Sequence, residues 1–435
     1  MTKIRLRWSW PLVVGLLAAG TAYGEDLNDV YRLARQHDPV VAAALEKREG
    51  AREGIAQSQA SLLPQVWATA QRSRVLQHTM DQDKYNVSSQ ALNLKVPLWH
   101  WDNWIGLRMA EKQDRQAELM QLDQEQGLIF RVTKAYLDIL LAEETLALRQ
   151  SEDTAMSRQL EIAQERLKVG EAVITDVQEA QAWRDLSATN TLAAVNQLAS
   201  QRESLAEIIA SLPEKLKPLK AEIPLEKPDP DNLDTWMTTA REHSFSLQVA
   251  RLGVAIAQDK LEQAHAGHYP TVDLIAGRNH QDSEASPQWM GGPSKTDNLM
   301  VQLNVPIYAG GMVVSRERQG LRDLNQRKLE LEQTDRQVVH QARDAYRAIV
   351  TSIAQVRAFQ QAVKSAELAL SSTREGVAAG LRNTLDVLTA EREYHQSRRN
   401  HASARYEYLL AALRLKQACG TLTEGDLQRI NGWLQ

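Results

Sequence analysis

The sequence predicts a mainly α-helical protein with a small β part, built around long coiled-coil helical hairpins. The first observation is composition: the 435 residues include only three Phe, few Gly and Pro, and 24% charged side chains. A chain rich in Ala, Leu, Gln, Glu and Arg favours long helices over a sandwich or a doubly wound sheet. The other two observations are a pair of long proline-free stretches and an internal repeat that divides the chain into similar halves.

The first 24 residues are typical of an export signal. Lys3, Arg5 and Arg7 precede a short apolar run, and small residues follow where a signal peptidase would cut. A single membrane anchor is the alternative, but the run is short for a span of about 20 residues. Cleavage would change the net charge from −4 to −7, because it removes three basic residues and no acidic one. We therefore expect an exported protein, and the interspersed charges do not favour a nucleic-acid partner.

Both halves of the chain carry the same motifs in the same order. The corresponding residues lie 206 to 210 positions apart and are Pro64 and Pro270, Pro97 and Pro306, Tyr136 and Tyr346, Gly170 and Gly380, and Asp176 and Asp386. The predicted divisions are a signal (1–24), a first repeat (25–212), a connector (213–231), a second repeat (232–418) and a C-terminal segment (419–435). The connector holds five of the thirteen prolines, so it cannot form a regular helix.

Each half is predicted to begin with a helix of moderate length and to end with a much longer helical region. The first helices are predicted over residues 27–61 and 233–266. No proline occurs in residues 99–212 or after residue 307, and apolar residues there step by three and four as in a coiled-coil seam. A helix over residues 104–168 would be roughly 100 Å long. Helices of this length form a rod or a wall of helices rather than a small globule.

Two short strands are predicted between these helices in each half. Pro64 and Pro270 mark the change from helix to alternating apolar and polar residues, and the second strands contain Pro97 and Pro306. The apolar faces of the second strands are Leu92, Leu94, Val96 and Leu98, and Leu299, Val301, Leu303, Val305 and Ile307. Strands of about ten residues with one apolar face are typical of an outer-membrane barrel. An edge hairpin on a soluble sheet is the alternative.

Four strands per chain cannot close a barrel, and an open sheet edge facing lipid is not viable. If the strands lie in a membrane, several chains must therefore share one barrel. The smallest usual closure has about eight strands, and three chains would supply twelve. The long helices would then continue the same tube on one side of the membrane.

The order of helix, proline, two strands and long helical hairpin, repeated twice, resembles the TolC family of trimeric outer-membrane efflux and secretion channels. The likeness covers essentially the whole chain after the signal. Its most specific motifs are ARQHDPVVAAA, SLLPQV, KVGEAVITDVQEAQA, HAGHYPTVDL, VPIYAGGMVVSRERQ and the segment from DVLTAEREYHQ to LKQACGTL. The resemblance implies a twelve-stranded barrel shared by a homotrimer and a long periplasmic α-barrel that tapers shut. The connector and the C-terminal segment would contribute to an equatorial belt around this tube.

The resemblance also implies a function in the outer membrane of a Gram-negative bacterium. The protein would be a passive exit duct for a tripartite efflux pump, for a type I protein secretion system, or for both. The expected partners are two further copies of the chain, outer-membrane lipid, a periplasmic adaptor and an inner-membrane pump of RND, ABC or MFS type. No catalytic activity and no cofactor are implied. Small drugs and an unfolded secreted protein both fit as cargo.

The hairpins are predicted to reverse direction at two glycines. Gly170 and Gly380 can take the left-handed conformation that ends a helix. The residues predicted to cap the returning helices are Thr175, with Gln178 as its capping-box partner, and Asn383 and Thr384. The adaptor contact is expected near the tips, around the two glycines.

An acidic constriction is predicted near the second tip. In a trimer Asp386 would appear three times around the pore axis, and such a ring favours cations and can bind a polyvalent one. The resemblance supports a pore ring at this residue. The family pattern has a second acidic residue one helical turn later, where this chain has Thr389, so one ring is missing. The alternative role for the acidic residue is to face the positive end of its helix.

The resemblance further implies a gate at the tips. Arg382 would bond to Asp176 of a neighbouring hairpin, beside Thr175, and help to hold the entrance closed. A family tyrosine near the second tip is replaced by Val377, so we expect a looser gate. An exposed ion pair contributes only about 0–1 kcal/mol. Three such pairs would make a latch that a docking partner could break.

Enzyme functions are not supported by any motif in the sequence. There is no dinucleotide-binding glycine motif after a strand, no P-loop, no nucleophile elbow and no zinc-protease motif. His265 and His268 lie three residues apart, and Asp273 could join them. We expect a surface pair there rather than a metal site. The one cysteine, Cys419, excludes an intramolecular disulfide.

Three tryptophans, Trp99, Trp101 and Trp104, cluster where the second strand becomes helix. Packing in the core is one explanation. We favour an interfacial aromatic belt, because Trp concentrates at the boundary between membrane and water.

Two other classes of protein compete with the duct. A periplasmic adaptor would have one helical hairpin, an N-terminal anchor or lipid and many short strands, whereas this sequence predicts two hairpins and few strands. A soluble structural coiled coil would leave the alternating strands without a purpose. The duct is therefore the preferred hypothesis.

Overall fold

The computed structural model describes residues 25–78, 82–213, 215–284 and 291–435. The predicted signal thus lies outside the described residues, as do parts of the segments that join the paired strands. In chain order the elements are α1 (Leu27–His37), α2 (Pro39–Ala60), β1 (Gln65–His78), β2 (Gln82–Trp99), α3 (Trp101–Lys168), α4 (Ile174–Ile209), α5 (Leu233–His243), α6 (Phe245–His265), β3 (Thr271–Ser283), β4 (Gly292–Asn304), α7 (Met312–Ala378), α8 (Thr384–Ala418) and α9 (Glu424–Asn431). The predicted fold class, mainly helical with a small β part, is confirmed.

Two long helical hairpins dominate the molecule. Hairpin 1 consists of α3 and α4, with 68 and 36 residues, and hairpin 2 consists of α7 and α8, with 67 and 35 residues. At about 1.5 Å per residue the two longest helices each extend about 100 Å. Their sequences contain no proline, which allows the backbone hydrogen bonds to continue without a kink.

The helix predicted over residues 27–61 is in fact two helices, because Pro39 cannot lie inside a helix. Asp38 ends α1 and caps α2, accepting hydrogen bonds from the backbone N–H groups of Val40 and Val41 at 2.8 and 2.9 Å. Its second carboxylate oxygen accepts from Arg131 on α3 at 2.8 Å. The break therefore also fixes α1 against hairpin 1.

The helix predicted over residues 233–266 is also interrupted, although no proline marks the place. α5 ends at His243, and Ser244 has an extended ψ of 122° before α6 begins. Gly420, just after α8, packs on this break: a Cβ there would lie 2.3 Å from the His243 carbonyl oxygen. The C-terminal segment thus docks at the break between α5 and α6, a tertiary contact that local sequence does not reveal.

The four strands form one antiparallel sheet in the order β1-β2-β3-β4. Pro64 and Pro270 directly precede β1 and β3. Pro97 lies inside β2 beside a register shift, beyond the pairing of β1, so a residue without an N–H group is tolerated there. β4 ends at Asn304, so the predicted strand was too long: Val305, Pro306 and Ile307 lie beyond the ladder.

One face of the sheet is apolar through all four strands. The register aligns Val66, Leu94, Ala276 and Leu299 in one row across the sheet. Val66 and Leu299 are 65% and 74% exposed in the single chain. Exposed apolar side chains in a continuous band favour contact with lipid or with another chain. β1 and β4 form the two edges of this sheet.

The main hydrophobic core surrounds the middle of the long helices, where the connector, α9 and the N-terminal segment wrap around them. Tyr136 on α3 is fully buried, and its hydroxyl lies 3.1 Å from the carbonyl oxygens of both Glu25 and Lys217. Towards the tips only a small apolar cluster appears in the described chain, formed by Met156, Ala163, Ala180 and Leu388. Packing between the hairpins is therefore strong at the equator and weak below it.

Within the described residues, no helix is both long enough and apolar enough to cross a membrane.

Candidate gating site at the hairpin tips

The first tip reverses the chain through a glycine in the left-handed conformation. Gly170 has φ +79°, and the N–H of Glu171 donates to the Arg166 carbonyl at 2.8 Å. This pattern satisfies the last carbonyl groups of α3. The predicted capping box at Thr175 is wrong: α4 begins at Ile174, with Val173 in the N-cap position. Valine offers no side-chain acceptor, and the Asp176 carboxylate supplies half of the box by accepting from the Val173 N–H at 3.4 Å.

The second tip has the same shape and a complete cap. Gly380 has φ +74°, and the N–H of Leu381 donates to the Gly376 carbonyl at 2.8 Å. Asn383 caps α8 as predicted: its side-chain oxygen accepts from the Asp386 N–H at 2.8 Å, and the Asp386 carboxylate accepts from the Asn383 N–H at 3.2 Å. Thr384 is the first helical residue rather than the cap. The reciprocal pair satisfies two N–H groups that the helix leaves open.

The acidic residues singled out from the sequence therefore occupy equivalent positions. Asp176 and Asp386 are both the third residue of the returning helix, where capping occupies one carboxylate oxygen. The other oxygen of Asp386 takes no part in the cap. Thr389 lies about one turn further along α8 and is partly exposed. Its hydroxyl adds no formal charge, so of these two positions Asp386 alone supplies a negative charge in each chain.

Arg382 is exposed and lies across the end of α7. Its Cγ and Cδ approach within 3.3 Å of the position that a Cβ on Gly376 would occupy, so this glycine makes room for the side chain. Among the ion pairs formed within the described chain, none joins Arg382 to Asp176. A bond between these two residues would thus have to form between chains.

Both tips expose large apolar side chains. Val169, Val173 and Ile174 are exposed at the first tip, and Leu381 is 83% exposed at the second. Exposed apolar side chains at the end of a hairpin favour docking of another protein. They surround the two glycines at which the adaptor contact is predicted.

Above the tips the structure brings together an ionic cluster that the sequence analysis missed. Its members are Arg149 and Glu152 on α3, Arg374 on α7, and Glu391, His395 and Arg399 on α8. The spacing of four between Glu391, His395 and Arg399 was the available signal. It places three ionisable residues on one face of α8, in line with the buried Leu388 and Ala402.

The other residues noted in the sequence have simple local roles. His265 and His268 share one carboxylate, with ring nitrogens 2.6 and 3.4 Å from Glu317 Oε1. Asp273 does not join them, because it pairs with Lys95 at 3.1 Å and His100 at 3.0 Å. No metal-binding cluster of three or more such ligands occurs among the residues that the structure describes.

The tryptophans at the junction of sheet and helix are exposed, as a boundary position requires. Trp99 and Trp101 stack with ring centroids 6.3 Å apart, and Trp104 is 56% exposed. Core packing is therefore not their role in the single chain. An interfacial belt stays the preferred explanation.

The model of the family described as outer membrane efflux protein matches residues 30–211 and 236–421, which are most of each repeat. The chain belongs to the outer membrane efflux protein family. The matched segments leave out the connector and so follow the internal repeat. Membership confirms the resemblance inferred from the sequence and the expected localisation in the outer membrane.

Curated relatives of this family align over nearly the whole chain. The outer membrane protein TolC of Vibrio cholerae is 33% identical over 421 residues, covering 96% of this chain and 95% of the relative. The protease secretion protein PrtF of Dickeya chrysanthemi is 30% identical over 436 residues, covering 97% and 94%. Membership of the family thus extends to relatives named for secretion.

Solved structures of outer-membrane channels have the same fold. VceC of Vibrio cholerae superposes with a TM-score of 0.75 at 18% identity, covering 91% of this chain and 96% of that chain. CmeC of Campylobacter jejuni superposes with a TM-score of 0.77 at 15% identity, covering 100% and 98%. These likenesses support the arrangement of helical hairpins and four-stranded sheet described above.

Proposed function

We propose that this family member is the outer-membrane exit duct of a tripartite efflux pump, of a type I secretion system, or of both. One observation carries the proposal. The same chain combines a four-stranded sheet, which has an apolar face and two edge strands, with helical hairpins about 100 Å long. A sheet of this kind needs other chains to close it in a membrane. The hairpins then extend the passage away from the membrane.

The duct is a homotrimer in this proposal, with twelve strands closing one barrel and twelve hairpin helices forming the tube below it. The exposed Trp99, Trp101 and Trp104 lie at the lower membrane boundary. Transport is passive, and the energy comes from an inner-membrane pump joined through a periplasmic adaptor. The adaptor docks on the apolar residues around Gly170 and Gly380.

Gating takes place at the tips. Arg382 of one chain reaches Asp176 and Thr175 of a neighbouring hairpin, and three copies of this contact keep the entrance narrow. Asp386 forms the acidic ring of the constriction, and Thr389 leaves the family's second ring uncharged. Because Val377 cannot replace the missing tyrosine hydroxyl, the contact between Arg382 and Asp176 carries most of the closure at this level.

The family relatives favour the duct over the periplasmic adaptor. Relatives named as secretion proteins align over almost their full length, including PrtF of Dickeya chrysanthemi and AprF of Pseudomonas aeruginosa. Protein cargo is therefore proposed alongside small molecules. The two hairpins per chain and the single four-stranded sheet also differ from the architecture expected of an adaptor.

A disulfide lock tests both the duct and the gate. Replacing Asp176 and Arg382 with Cys should allow a bond between neighbouring chains under oxidising conditions, while Cys419 is buried and should not compete. Cells that depend on this variant should stop exporting a fluorescent drug or an unfolded secreted protein, and a reductant should restore export. Undiminished export by protein that gels show to be cross-linked would contradict the proposal. Each single-cysteine variant serves as a control.

A further inference from the structure

Below the equator, few side chains hold hairpin 2 against hairpin 1. The small apolar cluster buries Leu388 of α8 against Met156, Ala163 and Ala180 of hairpin 1. Next to it, the Arg392 guanidinium lies 5.0 Å from the ring centroid of Trp183 on α4, a favourable cation–π distance. An ion pair between Glu152 and Arg399 also joins the two hairpins in this part of the described chain.

This ion pair is buried. Arg399 Nη1 lies 2.6 Å from Glu152 Oε2, and the two side chains are only 9% and 6% exposed. Arg149 approaches the same oxygen at 3.0 Å. Removing Arg399 would leave the buried Glu152 with Arg149 alone, and breaking a buried pair in this way is destabilising. Separating the hairpins would likewise have to break the pair or carry water to it.

Beside the small apolar cluster, a groove of about 690 Å³ lies between the hairpins from the level of this pair to the tips. It runs between α3 and the facing ends of α7 and α8. Arg158 and Arg166 of hairpin 1 and Arg374 of hairpin 2 line it. Glu391 also lines the groove but pairs with Arg374 of its own hairpin, so in the described residues the Glu152–Arg399 pair is the last ion pair between the hairpins before the tips.

His395 lies on α8 between two ion pairs. It is one turn from Arg399, which pairs with Glu152, and one turn from Glu391, which pairs with Arg374. It is 3% exposed, and its Nδ1 meets no hydrogen-bond partner within the described parts of the chain. Its Nε2 lies 3.9 Å from Glu391, whose carboxylate is already bound to Arg374. A buried ring nitrogen without a partner is costly, and separation of the hairpins would hydrate it.

The charges around His395 come from three helices. They are Glu152 on α3 and Glu391, Arg398 and Arg399 on α8, with Arg149 on α3 and Arg374 on α7 bound to the two acids. Burial lowers the pKa of His395 despite the opposing effect of Glu152 and Glu391. When the hairpins part, hydration of His395 would raise its pKa towards the usual value of about 6.5. Proton binding below about pH 6.5 therefore favours the parted hairpins, and the closed arrangement keeps its full stability above that pH.

We propose that Glu152 and Arg399 form a latch within each chain that holds hairpin 2 closed against hairpin 1, and that His395 makes its release acid-sensitive. The proposal rests on the proposed duct function and adds a second level of gating above the tips. The latch resists separation at neutral pH. Acidification weakens it by charging a histidine that the closed arrangement keeps neutral.

The latch is tested with Arg399→Gln, with the double variant Glu152→Gln/Arg399→Gln, and with Arg398→Gln as the matched control. Arg398 carries the same charge on the adjacent residue but stacks on Tyr394 of its own helix. At about pH 7, Arg399→Gln should raise the open fraction of single channels about tenfold or more. The double variant removes both charges of the latch and leaves Arg149, which is 23% exposed, without its acid. It keeps the test valid if the single variant folds poorly, and it should also open more often than wild type. Equal open fractions in wild type, Arg398→Gln and the double variant would overturn the proposal.

A second readout separates the latch from the duct. Spin labels at Val169→Cys and Leu381→Cys, both exposed at the tips, report the distance between the hairpins of one chain when labelled chains are diluted among unlabelled ones. The double variant should lengthen or broaden this distance and Arg398→Gln should not. This measurement needs no conduction, so a wild type that forms no channel would sink the duct while the distances still decide the latch. Unchanged distances in the double variant would contradict the latch alone.

Acid sensitivity is tested with His395→Gln against His401→Gln, a second partly buried histidine on α8. Between about pH 7 and about pH 5 the wild type should open progressively more often. His401→Gln should behave like wild type, and His395→Gln should lose the dependence. A pH dependence that survives in His395→Gln, or that His401→Gln abolishes, would show that His395 is not the sensor.

Discussion

At the scale of single residues, one side chain at the constriction combines two tasks. Asp386 closes the capping box of α8 with one oxygen of its carboxylate and, in the proposed trimer, directs its charge to the pore. Asp176 has the same capping position in hairpin 1. Replacing the Asp386 carboxylate with an amide therefore separates the electrostatic task from the structural one.

Asp386→Asn should reduce selectivity for cations while leaving the fold intact. Asparagine keeps an acceptor oxygen for the Asn383 N–H, so the capping box survives, but three charges leave the constriction. The reversal potential across a salt gradient measures the ratio of cation to anion permeability. Asp185→Asn is the matched control, since it removes an exposed charge from α4 at a residue that belongs neither to the caps nor to the proposed gate. Equal selectivity in wild type and Asp386→Asn would remove this residue from the constriction.

Cys419 should be unreactive in the native protein. It is fully buried, its Sγ lies 3.6 Å from the Trp236 carbonyl oxygen, and burial raises its pKa to about 11. Because the thiolate is the reactive form, the thiol stays protonated and unreactive well below that pH. Mass spectrometry after iodoacetamide treatment at about pH 8 should find it unmodified until denaturant is added. An exposed Leu381→Cys should react at once, and equally fast native modification of Cys419 would show that the α5–α8 junction opens readily.

At the scale of elements, the sequence predicted the kinds of helix and strand but not all of their ends. Proline-free length and apolar periodicity were sufficient for the long helices, because local hydrogen bonding and one buried stripe determine them. The break at Ser244 depends instead on Gly420, which is 176 residues away in the sequence. The N-cap of α4 was predicted at Thr175, two residues after its actual position at Val173. Threonine is a common N-cap, but here the Asp176 carboxylate already supplies an acceptor for the cap.

Gly420→Ala should destabilise the protein far more than Gly380→Ala. Both residues have positive φ, +67° and +74°, so alanine costs about 1–2 kcal/mol at either site. Only at Gly420 would the new Cβ also collide with backbone, 2.3 Å from the His243 carbonyl oxygen, whereas Gly380 has open space around it. Thermal unfolding of the two variants measures the difference. Equal melting temperatures would mean that the C-terminal segment does not dock on the α5–α6 break.

At the scale of the whole molecule, the sequence predicted the general architecture better than the contacts between its halves. The repeat, the free sheet edges and the long hairpins follow from patterns within each half. The latch between Glu152 and Arg399 joins residues 247 positions apart, so no local pattern pairs them. Ionisable residues on a helix normally face solvent, and their burial at the hairpin interface became visible only in the fold.

The measurement that tests the duct most directly is single-channel conductance in a planar bilayer, comparing wild type with Arg382→Ser. The account predicts a small conductance for the wild type, because the tips nearly close the tube. It predicts a larger conductance for Arg382→Ser, because the contact with Asp176 of the neighbouring chain is lost. Equal conductance in both would keep the duct but remove Arg382 from the gate. No conductance from a well-folded oligomer would contradict the central claim.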